Sequence, residues 1–345
     1  MRSKQGSLLL ASLGLTVLML MVQAEFVAAR QAQEDSARAQ AASPQIFQPG
    51  VISGPANDGA PTFTPDGKTI FFTRSGATWS TILESHQTGD RWSEPQLASF
   101  SGEWPDQQPA LSPDGSYLVF VSVRPTSPDT GQGAPKSGAP VRTAHLWRVT
   151  RTSSGWSEPT QLPETVNFCS RIFKPTIAAD SSVYFMAMEK DKKFRLFRSQ
   201  YADGTYAKAE PLPFSDGVIS DVDPEIAPDE SFLLFSSDGR RTGDTSHEHL
   251  YIVFKKAGAW GAVVPVHYAG DDSGESNDNE SHLSPDQRTL YFSSDRTLPV
   301  HFPRSKEQAK QDLARLQWDN GNNNVWFMRM APLLNLEKRE LEKNE

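Results

Sequence analysis

Five short apolar runs recur along the chain: TIFF (69–72), YLVF (117–120), VYF (183–185), FLLF (232–235) and TLYF (289–292). Each follows a Pro-Asp or Ala-Asp step, and each step is preceded by a short alternating stretch: PTFT, PALS, PTIA, PEIA or SHLS. Period-two patterning on both sides of a turn predicts a β-hairpin, because successive strand side chains point to opposite faces. The turn chemistry agrees. Pro presets φ, and the Gly of Pro-Asp-Gly accepts a left-handed backbone. In the third copy, ADSSVYF, one residue fewer separates Asp180 from its Phe, which predicts a different turn.

The steps at Pro65, Pro113, Ala179, Pro228 and Pro285 are 48, 66, 49 and 57 residues apart, a unit of roughly 50 residues plus insertions. A third strand is legible in each unit, at STIL (80–83), AHLW (144–147), FRLF (194–197), HLYI (249–252) and NVWF (324–327). A fourth follows in the first four units, at RWSEPQLASF, GWSEPTQLP, TYAKAEPLP and AWGAVVPV. The fifth unit lacks one after Met330, while QIFQPGVIS (45–53) at the start reads like the tail of such a strand. The expected fold is therefore all-β: a single β-propeller of four-stranded blades, closed by the N-terminal strand. Five blades are expected, with six as the alternative.

The repeats resemble the TolB-like, WD40-like propeller repeat of bacterial exported proteins. The residues that carry the resemblance are Asp106-x-x-Pro109-x-x-Ser112-Pro113-Asp114-Gly115, and Ser293-Ser294-Asp295-Arg296 in the last unit. The resemblance covers about 45–330 and implies a propeller. It does not imply one function, because such repeats occur in scaffolds, binding proteins and peptidase accessory domains. Ile172 stands where unit three should have Asp, and Ser281 replaces the Pro of unit five.

In such a fold the inner strands line a channel, and the segment entering each of them opens on one face. Asp58, Asp106, Asp221 and Asp278 occupy one repeat position there; Asp223, Glu225, Glu280 and Lys174 are nearby and are not demanded by the repeat. These eight are the candidate ligand-binding residues of the channel mouth, and a ring of carboxylates could also hold a structural Ca²⁺, which takes six to eight oxygens. The alternative for the four Asp is bracing of a turn by backbone N–H bonds, or pairing blade to blade with Arg74, Arg124, Arg240, Arg241 and Arg296. The same face should carry two insertions, 125–143 and 297–323. In the second, Ala309, Leu313, Leu316 and Trp318 suit a short amphipathic helix.

Other chemistry finds little support. His247-Glu248-His249 is the best metal-like cluster, but no third ligand is signalled at a fixed spacing. There is no Gly-x-Ser-x-Gly elbow and no phosphate-binding glycine loop, and no catalytic residue is assigned. Cys169 is the sole cysteine, so an intramolecular disulfide is excluded.

Residues 1–24 read as a secretory signal: Arg2 and Lys4, an apolar run from Leu8 to Val22, then small residues before a cut after Ala24. Its loss would shift the net charge from −8 to about −10, a poor balance for nucleic acid. Residues 25–44 read as a linker, 45–330 as the propeller and 331–345 as a charged tail. The expectation is an exported, periplasmic or secreted, monomeric binding protein with no membrane span after cleavage. It would take a protein, peptide or glycan on the insertion face. The alternative is a glycoside hydrolase-like enzyme using carboxylates at the channel mouth.

Overall fold

The computed structural model describes residues 43–334 except 126–142, 190–192, 241–245, 269–275 and 332. The signal, most of the linker and tail, Arg241 and nearly all of the 125–143 insertion lie outside the described residues. The architecture below is that of the unit Pro44–Glu345.

Five antiparallel sheets form five blades. Blade 1 starts with Asn57–Phe63, Thr69–Gly76 and Trp79–Thr88, and Gln96–Leu97 forms its outer edge. Blade 2 runs Asp106–Leu111, Tyr117–Ser122, His145–Thr152 and Thr160–Gln161. Blade 3 runs Ile172–Ile177, Val183–Ala187, Arg195–Ser199 and Glu210–Pro211. Blade 4 runs Asp221–Ile226, Phe232–Ser237, His249–Lys256 and Ala259–Pro265. Blade 5 takes Asp278–Leu283, Thr289–Ser294 and Asn324–Arg329 from the chain end. Its fourth strand is Gln45–Ile46, paired with Phe327 and Trp326. This closes the ring as expected and leaves no open edge on Asn324–Arg329.

The hairpin turns carry the repeat's phrase for a mechanical reason. Asp114 Oδ1 accepts from Ser112 Oγ at 2.6 Å and from Ser116 N at 3.0 Å, while Gly115 sits at φ +72°. Asp66 and Asp286 make the same bonds in blades 1 and 5. In blade 3 Ser181 takes the left-handed position, and the hairpin closes one residue sooner, Ile177 facing Val183 where Leu111 faces Leu118.

Between blades the aromatics interlock. Phe71 and Phe120 are fully buried, and Phe100 bridges them at 6.3 and 5.3 Å. Burial of each such ring contributes on the order of 1.5–3 kcal/mol.

One irregularity repeats five times. Every inner strand shifts register before its fifth or sixth residue, at Gly59/Thr62, Gln107/Ala110, Phe173/Thr176, Val222/Glu225 and Asn279/His282. The residues at these bulges, Ala60, Gln108, Lys174, Asp223 and Glu280, all have positive φ between 45° and 53°. Left-handed backbone is uncommon for residues other than glycine, and a bulge re-aims the side chain.

Candidate functional site: the central channel and its two faces

The four repeat aspartates are committed to arginine. Arg74 Nε lies 2.6 Å from Asp58 Oδ1, Arg124 Nη2 2.8 Å from Asp106, and Arg296 Nη2 2.7 Å from Asp278. Arg240 grips Asp221 with two bonds of 2.7 Å. Each pair lies within one blade, not between blades. In blades 2, 4 and 5 the Asp opens the inner strand and the Arg follows the second strand, its pairing partner; in blade 1 Asp58 is the second strand residue and faces Arg74 within Thr69–Gly76. Arg124, Arg240 and Arg296 also stack over Phe120, Phe235 and Phe292 of their own blades. Gly54 N donates to the second oxygen of Asp58, and the four carboxylates are buried. They are bracing groups, and blade 3, with Ile172 at this position, does without one.

The other four candidates converge. Asp223, Glu280 and Lys174 are bulge residues, and Glu225 follows one. Gln108, a bulge residue absent from the candidate set, joins them: Gln108 Nε2 donates to Glu280 Oε1 at 2.9 Å, and Gln108 Oε1 accepts from Lys174 N at 3.0 Å. Lys174 Nζ donates to the Ser281 carbonyl at 2.9 Å and lies 4.0 Å from Glu225 Oε2. The Pro missing at Ser281 does not affect that bond, which uses the carbonyl. Ser293 Oγ donates to Glu280 Oε2 at 2.7 Å.

A second repeated contact explains Asp223. A second-strand side chain accepts the bulge N–H of the next blade: Thr73 Oγ1 from Gln108, Met186 Sδ from Asp223, Ser293 Oγ from Ala60. Between blades 4 and 5 Asp223 Oδ2 takes that role for Glu280 N at 3.3 Å, and Ser236 Oγ and Asp223 Oδ1 are left with no partner. Burial pushes the Asp223 carboxyl well up, and the charges of Glu280 and Glu248 add to it. Glu225 behaves oppositely. Burial pushes it up too, but the charge and hydrogen bond of His282, with Lys174, hold it below the usual carboxylate range. His282 Nδ1 lies 3.1 Å from Glu225 Oε1, which also accepts from Leu283 N at 2.9 Å.

The channel's open space lies at the end with the Pro-Asp turns, away from the aspartate entries. A cavity of about 140 Å³ is lined by all five inner hairpins, including Thr62, Thr176, Glu225, His282 and the prolines 65, 113, 228 and 285. Beside it, between blades 1 and 5, lies a more open cavity of about 560 Å³ lined by Phe47, Phe63, Trp92, Tyr291, Asp66 and Asp286 among others. Of the sequence candidates only Glu225 lines either cavity. His282, Trp92 and Tyr291 were not singled out. The signal for His282 was the departure of SHLS from PTFT and PTIA; for Trp92 and Tyr291 the repeat itself hid them.

The opposite face carries the second insertion. Helix α1, Lys306–Arg315, starts at a capping box: Gln308 N donates to Ser305 Oγ, and Ser305 N donates to the Gln308 side chain. Arg315 ties it to Asp319 at 2.6 Å and to the Leu298 carbonyl at 3.0 Å. Asn320 and Asn322 donate to the Pro55 carbonyl at the entry to blade 1. Ala309 and Trp318 are half-buried, yet no helix residue is fully buried. Leu313 is 66% exposed, Leu316 46% and Phe302 74%, beside Leu298 and Val300.

Among the described residues, no group of three or more His, Cys, Asp or Glu side chains is placed to hold a metal ion, and no helix is long and apolar enough to cross a membrane. His249 is buried in its strand, and Glu248 accepts from Asn279 Nδ2 at 2.7 Å. Burial raises the Cys169 thiol, which disfavours a reactive thiolate.

No family model matches the chain, and no curated protein matches it. Solved structures do. The chain is similar to the putative TolB from Agrobacterium tumefaciens, at 16% identity over 70% of each chain with a TM-score of 0.45. TolB from Acinetobacter baumannii matches at 11% identity, over 79% of this chain and 54% of that one, with a TM-score of 0.43. A Bacteroides ovatus protein described as xyloglucan PUL GH43B matches at 14% identity, over 74% of this chain and 51% of that one, with a TM-score of 0.45. Likenesses this distant assign no activity, and the propeller rests on the strand pairing itself.

Proposed function

We propose that the protein is an exported, monomeric, non-catalytic propeller, freed by cleavage after Ala24, that docks a protein partner on the face carrying the 297–323 insertion. One observation carries the reading: a helix capped and tethered at both ends keeps Leu313, and Leu316 just past its end, in water. A helix built only for stability buries its apolar stripe against its own domain. The insertion exposes five large apolar side chains, Leu298, Val300, Phe302, Leu313 and Leu316, on a segment that also carries the exposed Lys310–Glu307 pair. An apolar centre with a charged rim is the anatomy of a protein–protein interface. The net charge of −8 argues against nucleic acid as the partner.

The test is capture from an envelope extract of the source organism by the mature protein, beside Phe302→Asp/Leu313→Asp. The proposal expects one protein retained by the wild type and lost by the variant, while a channel variant such as Asp223→Asn keeps it. Equal capture by all three refutes it.

One observation favours a second reading, hydrolysis by a general acid and a base. Asp223 and Glu225 lie on one strand with their carboxyls pushed apart, the pattern that acid–base catalysis uses. Against it, Glu225 lines the turn-end cavity and Asp223 does not, so a substrate seated there meets only one of the two. Product formation from a glycan panel, lost in Asp223→Asn, would establish this reading over the first.

A further inference from the structure

The two cavities at the turn end are one continuous feature. Phe63, Pro65, Ser284 and Pro285 line both. A chain of aromatic contacts connects them: Trp92 meets Phe47 at 5.7 Å, Phe47 meets Tyr291 at 5.2 Å, Tyr291 meets Phe63 at 4.6 Å, and Phe63 stacks on His282 at 6.1 Å. The cleft thus runs from the rim between blades 1 and 5 inward to the axis, over an aromatic floor. Trp92 and Tyr291 are half-buried, so part of each ring is open to a ligand.

The outer part is acidic: Asp66 and Asp286 line it, and no Lys or Arg is among the lining residues of either cavity, while at the inner end Glu225 is paired with His282. The two rim carboxylates are set by the turns. Each uses Oδ1 for its turn: Asp66 accepts from Thr64 and Lys68, Asp286 from Ser284 and Arg288. Asp66 Oδ2 carries no such bond, and Asp286 Oδ2 has only the Arg288 side chain, 4.0 Å away and 87% exposed. Fixed carboxylates beside open aromatic faces are the chemistry that holds an organic cation, through charge and through attraction to the ring face. A volume of about 560 Å³ is within the range of ligand sites, about 300–1,000 Å³.

We infer that this cleft binds an extended basic peptide segment. An arginine or lysine would sit between the rim carboxylates over Trp92 and Tyr291, and the chain would run inward towards His282. This site lies at the other end of the channel from the insertion, so its failure and the failure of the docking reading are separate results.

The experiment titrates the mature protein with capped Gly-Arg-Gly-Arg-Gly, its Glu counterpart and a neutral tetrasaccharide, following tryptophan fluorescence and heat. The arginine peptide is expected to bind, and more weakly as salt rises. Asp66→Asn/Asp286→Asn keeps each Oδ1 acceptor, so it should fold with an unchanged melting temperature. It should also weaken binding by about tenfold or more. Trp92→Phe should keep the heat signal and lose the fluorescence change. The inference is overturned by equal binding of the Glu peptide, by tighter binding of the tetrasaccharide, or by no arginine-peptide binding at about 1 mM. Full affinity in the Asn variant, or an unaltered fluorescence change in Trp92→Phe, overturns it too.

Discussion

Lys174→Met is the substitution that probes the channel most sharply. The lysine is 2% exposed, and its ammonium lies 4.0 Å from Glu225, farther than His282 at 3.1 Å. It joins three blades: its backbone N–H goes to Gln108 of blade 2, and its ammonium goes to Ser281 O of blade 5 beside Glu225 of blade 4. Methionine fills similar volume, so a cavity term is small and the loss is electrostatic. Removing one partner of a buried ion pair costs about 3–5 kcal/mol, because the other charge stays buried. At 4.0 Å the Glu225 contact is long, and His282 still faces that carboxylate, so the low end applies: about 3 kcal/mol. At about 2–4 °C per kcal/mol, the melting temperature falls by about 6–12 °C.

The sign with pH follows. Without the ammonium the folded-state values of Glu225 and Asp223 move up, the folded state takes up protons more readily, and the variant's stability falls as pH rises. Urea unfolding by circular dichroism at pH 5 and pH 8 should show a larger deficit at pH 8. Adding Glu225→Gln should recover part of it, since the amide oxygen still accepts from Leu283 N. A loss under about 1 kcal/mol, or a deficit equal at both pH values, would refute the claim that Lys174 balances buried carboxylates.

Asp223 and Glu225 should answer to neutralisation in opposite ways. The Asp223 carboxyl is raised, so its charge costs stability increasingly as pH rises past the unfolded value; Asp223→Asn should be neutral or stabilising at pH 8 in the same assay. The Glu225 carboxyl is lowered, so its contribution is present above the unfolded value and is lost on acidification; Glu225→Gln should destabilise at pH 7, and less so near pH 3. Phe120→Ala should cost about 3–5 kcal/mol by urea unfolding, and a loss under about 1 would undermine the packing between blades 1 and 2. No cofactor is expected, and the alternative of a structural Ca²⁺ in the channel is tested by chelation. With Lys174 supplying positive charge in the channel, EDTA should leave the melting temperature unmoved, and a clear fall would establish a bound cation.

The blades were legible because hairpins write themselves locally: Pro-Asp, a left-handed residue and an apolar run recur wherever a blade folds back. Ring closure was legible for the same reason, since 45–53 matches a strand that the fifth unit lacks. The arginines that could pair with the repeat Asp were legible as a set, but not that each pair forms within one blade. Asp106 and Arg124 are 18 residues apart, and only the register that sets Asp106 opposite Ser122 brings them together. The bulges at Lys174 and Glu280 carry no sequence mark, because a positive φ on Lys or Glu is imposed by the ring, not by propensity. Nor could spacing show that the open cleft lies among the Pro-Asp turns. There Asp66 and Asp286 have a turn to hold and a second oxygen left over. The amphipathic stripe of α1 was readable, but its exposure is a tertiary fact.

The docking reading stands or falls on the affinity of the captured protein for the wild type and for Phe302→Asp/Leu313→Asp, measured by calorimetry. Two central apolar anchors, each worth about 2 kcal/mol, predict a loss of about 700-fold, with the propeller's melting temperature unchanged. An affinity within about threefold of the wild type would show that the partner docks elsewhere.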